Sequence, residues 1–90
     1  MKIEYDPVKD TKNNSKHGIS LAYAVHLEWE VSLTWADTRF EYNEIRFSGI
    51  VPVGNKLFYV AFTEIDDDTL KIISLRKALK REVKRYVDQI

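Results

Sequence analysis

A lone histidine, a carboxylate–guanidinium pair and a run of cations are the residues of this chain whose types and spacing suit chemistry. His17 stands in Lys16-His17-Gly18, and an ordinary imidazole pKa of about 6.5 fits proton transfer near neutral pH. A histidine just before a glycine can also bond the last carbonyls of a helix and complement its dipole. Glu44 and Arg46 are two apart, so on a strand both project from one face, roughly 6.8 Å apart along it. One could act as base and the other clamp a phosphate, or the two could form a surface ion pair worth about 1 kcal/mol or less. Arg76 and Lys77 precede a basic segment holding Lys80, Arg81, Lys84 and Arg85. Arginine grips a phosphate with two parallel hydrogen bonds, which lysine cannot copy. This segment could track a nucleic-acid backbone, be balanced by Glu82 and solvent, or meet an acidic partner. Lys16 has the same ambiguity. Tyr86 could donate a proton or stack on a base, but its place on an apolar stripe equally suits the core. His26 reads as surface and Thr63 as structural.

These side chains need elements to position them. Ile3-Glu4-Tyr5 suits a short edge strand. Asp6 then caps a helix with Pro7 at its first position, and Gly18 stops it as a left-handed residue. Ser20 caps a second helix in which Leu21, Ala24, Val25 and Trp29 follow helical spacing. From Val31 the period becomes two: Val31, Leu33 and Trp35 alternate with Ser32, Thr34 and Ala36. Ile45, Phe47, Gly49 and Val51 share one face of the next strand, with Arg46 and Ser48 on the other. Residues 52–56 form a turn, and Leu57 to Thr63, uninterrupted by charge, reads as a central strand buried on both faces. Asp66-Asp67-Asp68 turns into a strand from Leu70 to Leu75. The final helix carries Leu79, Val83, Tyr86 or Val87, and Ile90 on one stripe. The expected fold is α+β, in the order α-α-β-β-β-β-α, with helices on one curved antiparallel sheet of about four strands.

The bulk properties limit what this frame can do. Ninety residues, 44% hydrophobic and 31% charged, suit one globular domain spanning residues 1–90. There is room for one site and not for a multi-step enzyme around a large cofactor. Without cysteine, disulfides and thiolate metal sites are excluded. Two histidines and scattered carboxylates show no metal-ligand spacing, and no glycine-rich phosphate loop is present; no metal or cofactor is expected. The first residues lack the apolar run of a signal peptide, and no stretch approaches the roughly 18 residues of a membrane span, so cytoplasmic residence is expected. The formal net charge is zero but unevenly placed: +1 over residues 1–17, −6 over 18–70 and +5 over 71–90. Such blocks suggest two surfaces with different partners, or only a solvated basic helix near an acidic loop.

Taken in order, several short motifs resemble one family. Asp6-Pro7-x-Lys9, Asn13 and Lys16-His17-Gly18-Ile19-Ser20 are similar to the opening of BrnT toxins. Asp37-x-Arg39 and Tyr42-Asn43-Glu44-Ile45-Arg46 are similar to that family's acidic and Glu-x-Arg segment. Phe62-Thr63-Glu64 resembles the end of its central strand. Ile72-Ile73-Ser74-Leu75-Arg76-Lys77-Ala78, with Glu82 and Tyr86, resembles its strand-to-helix signature. Departures are Asn43 for glycine, Leu21 for phenylalanine and Ile65 for arginine. The resemblance implies a RelE-like fold and a ribonuclease toxin that restrains translation. It also implies a cognate antitoxin of ribbon-helix-helix type, forming a hetero-oligomer that touches operator DNA only through the antitoxin. RNA can be cleaved without a metal when its own 2′-hydroxyl attacks the adjacent phosphate. The protein must then move two protons and stabilise phosphoryl charge, for which His17, Glu44, Arg46 and Arg76 are the candidates. Lys16, Lys77, Lys80, Arg81 and Tyr86 are the candidate RNA contacts. The alternative is an inactive toxin-like module that only binds the antitoxin and helps repress its operon.

Overall fold

The computed structural model describes residues 1–39, 41 and 43–89. Among the described residues nine elements follow one another: β1 (Lys2–Tyr5), α1 (Pro7–His17), two 3₁₀ helices (Leu21–His26 and Trp29–Val31), β2 (Leu33–Ala36), β3 (Arg46–Val53), β4 (Lys56–Asp66), β5 (Thr69–Lys77) and α2 (Lys80–Gln89). The expected α+β class and C-terminal helix are present. Phe40 lies outside the described residues, as do Tyr42 and Ile90, read above as part of the family motif and of the final stripe.

α1 has the expected ends. The Asp6 carboxylate accepts from the Val8 N–H at 2.8 Å, Pro7 takes the first position, and Gly18 leaves the helix at φ 69° while its N–H reaches the Asn14 carbonyl. The second helix differs from expectation. After the Ser20 cap the chain makes i→i+3 bonds, Tyr23 to Ser20 and Leu27 to Ala24, so the turn has three residues, not 3.6. Leu21, Ala24 and Leu27 then fall on one line and are 0, 0 and 5% exposed, whereas Val25 is 62% exposed. Trp29 and Val31 belong to the short 3₁₀ turn that follows, not to a helix continuation or a strand start.

The sheet has five strands rather than four, ordered β1-β5-β4-β3-β2. The meander from β2 to β5 is antiparallel, as expected, but β1 pairs with β5 in parallel, Lys2 opposite Thr69 through Tyr5 opposite Ile72. The sheet is therefore mixed, a common outcome when an extra edge strand joins an antiparallel meander. β4 is its central strand. Glu44 and Ile45 lie ahead of β3, which begins at Arg46, and Ile45 is 72% exposed; neither takes the strand-face position expected for it.

The core fills the face covered by α1 and the 3₁₀ helices. There Leu21, Ala24 and Leu27 pack on Val51, Phe58, Val60, Phe62, Ile72 and Leu75. Asn13 fixes α1 to the sheet: its Nδ2 donates to the carbonyls of Ile19 and Leu75, and its Oδ1 accepts from the Leu75 N–H. Beyond the end of β1, this side chain takes the place of a neighbouring strand at the β5 edge. On the opposite face α2 lies across the sheet. Tyr86 is buried there and donates to the Val31 carbonyl at 2.7 Å, while Ile50 is fully buried. Leu79, Val83 and Val87 remain substantially exposed, so the buried line of α2 runs through Glu82 and Tyr86.

Candidate functional site

Strand register builds a cleft on the α2 face. Trp35 of β2 stands opposite Ser48 of β3, and Tyr59 of β4 stands opposite Arg76 of β5. Because side chains alternate across a strand, each strand of the meander sends one of these four to the same face. α2 supplies Arg81, Glu82 and Arg85, and Arg39 closes the far side, around a volume of about 290 Å³. Four arginines face one carboxylate.

The cleft is internally braced. Arg76 holds Glu82 with two hydrogen bonds, 2.7 and 2.9 Å, and donates a third to the Lys77 carbonyl. Its guanidinium lies 4.2 Å above the Tyr59 ring, and that of Arg85 lies 3.8 Å above Trp35, both favourable cation–π placements. A guanidinium has five N–H donors, so two of those on Arg76 remain for a ligand. Arg81 donates no hydrogen bond among the described residues. Glu82 also accepts from the Leu79 N–H at 2.7 Å, the carboxylate half of a capping box that starts α2. Burial disfavours the Glu82 carboxylate. The hydrogen bonds from Arg76 and Leu79, with the charges of Arg76 and Arg81, outweigh it and hold the pKa below its ordinary value. On the cleft floor the Tyr59 and Ser48 hydroxyls are 2.7 Å apart.

Arg76 and Arg81, with Arg85 of the same basic segment, are the candidates expected from sequence that this cleft contains. Arg46 is on the same sheet face but stands opposite Thr63, four residues along β4 from Tyr59 and so roughly 13 Å away along the strand. β4 separates β3 from β5, and Arg46 pairs instead with Glu44 at 3.3 Å. That pair lines a separate depression with Asp37, whose carboxylate holds Arg39 at 3.0 Å. His17 lies at the end of α1 and lines two other concavities, one with Lys9, Lys12 and Lys16, the other with Tyr23, His26 and Lys77. Partial burial, then the charges of Lys16 and Arg76, lowers its pKa and favours neutral imidazole. The four expected reacting groups thus do not converge on one concavity. Lys77 points to the opposite face from Arg76, Lys16 and Lys80 are exposed, and Tyr86 is buried as a packing residue rather than presented to a ligand.

Trp35, Arg39, Ser48 and Tyr59 were not singled out as site residues. One signal was available: Ser48, a polar residue in an apolar strand, faces the same way as Arg46. The cross-strand pairings that bring it beside Tyr59 and Trp35 were not readable from the chain alone. Among the described residues no group of three or more His, Asp or Glu is arranged to hold a metal ion, and no helix is long and apolar enough to cross a membrane.

A small α+β domain with an arginine-walled cleft on one sheet face has the electrostatic form of a polyanion-binding protein. Residues 5–82 match the family model described as ribonuclease toxin, BrnT, of type II toxin-antitoxin system. The chain belongs to that family. It is also similar to the Brucella abortus ribonuclease toxin, BrnT, whose crystal structure aligns with a TM-score of 0.66 at 26% identity, covering 89% of this chain and 99% of that one. No curated protein matches.

Proposed function

We propose that this chain is an endoribonuclease that cleaves RNA by metal-independent transphosphorylation in the arginine cleft, and so inhibits translation. The observation that carries this reading is the set of four guanidiniums around one concavity, joined by a paired Tyr59–Ser48 hydroxyl. A phosphodiester seated there would meet the two remaining donors of Arg76 and the side chain of Arg81. Both would stabilise the charge that develops on the phosphoryl oxygens as the 2′-hydroxyl attacks. Tyr59 is the hydroxyl proposed to protonate the departing 5′-oxygen, with Ser48 orienting it; the proton of the attacking 2′-hydroxyl leaves to solvent water, from which Tyr59 is reprotonated. Glu82 acts through Arg76 by holding its guanidinium flat over Tyr59. His17 and the Glu44–Arg46 pair, outside the cleft, serve as flanking contacts to the strand, together with Lys16, Lys77 and Lys80.

The antitoxin that the type II system supplies is proposed to be of ribbon-helix-helix type. It would neutralise the toxin in a cytoplasmic hetero-oligomer and carry all contact with operator DNA. A binding-only module is the second reading, favoured by one feature: among the described residues the cleft has no imidazole, and its one carboxylate is committed to Arg76. Incubating the purified chain with RNA in EDTA separates the two. Fragments are expected, slowed roughly 10²-fold or more in Arg81→Ala if that side chain stabilises phosphoryl charge. Arg81 is exposed, so its removal leaves the fold intact. RNA that stays whole, with harmless overexpression of the chain, rejects the enzyme reading and leaves the binding module.

A further inference from the structure

A second concavity is larger than the cleft. On the other face of the sheet a depression of about 540 Å³ is lined by His17, Ser20, Tyr23, His26, Phe58 and Lys77 among others, and no acidic side chain contributes to its wall. The volume falls within the range of about 300–1,000 Å³ usual for small-molecule sites. Three rings meet there, with Tyr23 tilted against His26 at 5.2 Å and against Phe58 at 5.4 Å between centroids. A cation stands at the margin: Lys77, which is exposed. Aromatic faces beside a cationic rim are the two components with which proteins hold single-stranded nucleic acid, the rings for bases and the cations for phosphates.

Its position ties it to the cleft. Lys77 and Arg76 are neighbours on β5 with side chains on opposite faces, Arg76 opposite Tyr59 and Lys77 opposite Phe58. β1 pairs with β5 only as far as Ile72, so no strand covers the edge at Arg76 and Lys77. His17 is part of the wall of the depression, and the Arg76 charge is felt there. A chain leaving the cleft therefore crosses one strand end, lined by cations, to reach the rings.

We propose that this depression is a nucleobase subsite: an RNA strand held in the arginine cleft turns over the end of β5 and seats a flanking base against Tyr23 and His26, its phosphate at Lys77 and His17. The inference rests on the reading of the cleft as an RNA site. It makes the substrate a single strand several nucleotides long, gripped on both faces of the sheet.

Binding of fluorescent 2′-O-methyl RNA, which lacks the attacking hydroxyl, tests it by anisotropy with a dinucleotide and a hexanucleotide. The wild-type chain is expected to bind the hexanucleotide at least roughly tenfold more tightly, the gain that one stacked base brings. Tyr23→Ala should remove most of that gain and leave dinucleotide affinity unchanged. His26→Ala and Lys77→Ala, both at exposed positions, should each reduce it, which keeps the test valid if Tyr23→Ala folds poorly. Arg81→Ala should weaken both ligands. A hexanucleotide gain that survives in His26→Ala and Lys77→Ala overturns the subsite while leaving the cleft reading in place. A wild-type chain that binds neither oligonucleotide overturns the cleft reading, and the subsite with it.

Discussion

Arg76 serves two purposes through one carboxylate. Glu82 is about nine-tenths buried, and its oxygens take two bonds from Arg76 and one from the first turn of α2. Glu82→Gln keeps the shape but removes the charge. It should cost about 1.5–3 kcal/mol, the usual worth of hydrogen bonds to an ionised group, read as a lower midpoint in urea unfolding. The pH dependence has a defined sign. A carboxylate held below its ordinary value of 4.5 contributes stability that is complete above that pH and is lost as pH falls through the lower folded-state value. Acid unfolding of Glu82→Gln should therefore show a weaker pH dependence below about 4.5 than the wild type. His17 tests the division of labour. With the reaction in the cleft, His17→Ala should weaken RNA binding and leave kcat within a few-fold. If His17 were instead the base, its lowered pKa would put the acid limb of the rate profile below pH 6.5, and the variant would abolish it.

At the level of elements, Asn13 has the clearest structural duty. It is the polar side chain that closes the open edge of β5 at Leu75, with three hydrogen bonds in a buried setting. Asn13→Leu keeps the approximate volume but leaves the Leu75 N–H and carbonyl unpaired. A loss of about 2–4 kcal/mol is expected from the desolvated groups, measured by denaturant unfolding, with α1 amides exchanging sooner than those of β4. How much of this was legible in the chain depended on the range of the interaction. The caps of α1 and the strands of the meander were readable, because Asp6-Pro7, Gly18 and the alternation of Leu33 and Trp35 are local signals. The 3₁₀ geometry was not, although Leu21, Ala24 and Leu27 carry its three-residue period, because Val25 fits an α-helical stripe equally well. The parallel pairing of β1 rests on contacts 67 residues apart in sequence, Lys2 with Thr69. The cleft is harder still, since Trp35, Ser48, Tyr59 and Arg76 become neighbours only once three strand registers are set.

For the whole molecule, the proposed function raises the question of how a chain of zero net charge would hold a polyanion. Charge acts locally in salt. At about 0.15 M the screening length is about 8 Å, and at 0.01 M about 30 Å. The acidic turn at Asp66-Asp67-Asp68 lies eight residues along from Tyr59 to Asp67, roughly 26 Å for an extended strand. At physiological salt that turn is screened from the cleft, and the groups of the cleft itself set the potential there: Arg81 and Arg85, with Arg76 paired to Glu82 and Arg39 paired to Asp37. At low salt the turn opposes them. Reversing it with Asp67→Lys, an exposed site, should therefore tighten binding of uncleavable RNA by several-fold at 0.01 M and hardly at all at 0.15 M. Arg81→Ala should weaken binding at both salts and flatten the dependence of log Kd on log salt by about 0.7, the counterion release of one phosphate contact on a single strand. An Asp67→Lys effect equally large at both salts would mean that the turn touches the RNA, and the strand would then have to run along β4 rather than over the end of β5.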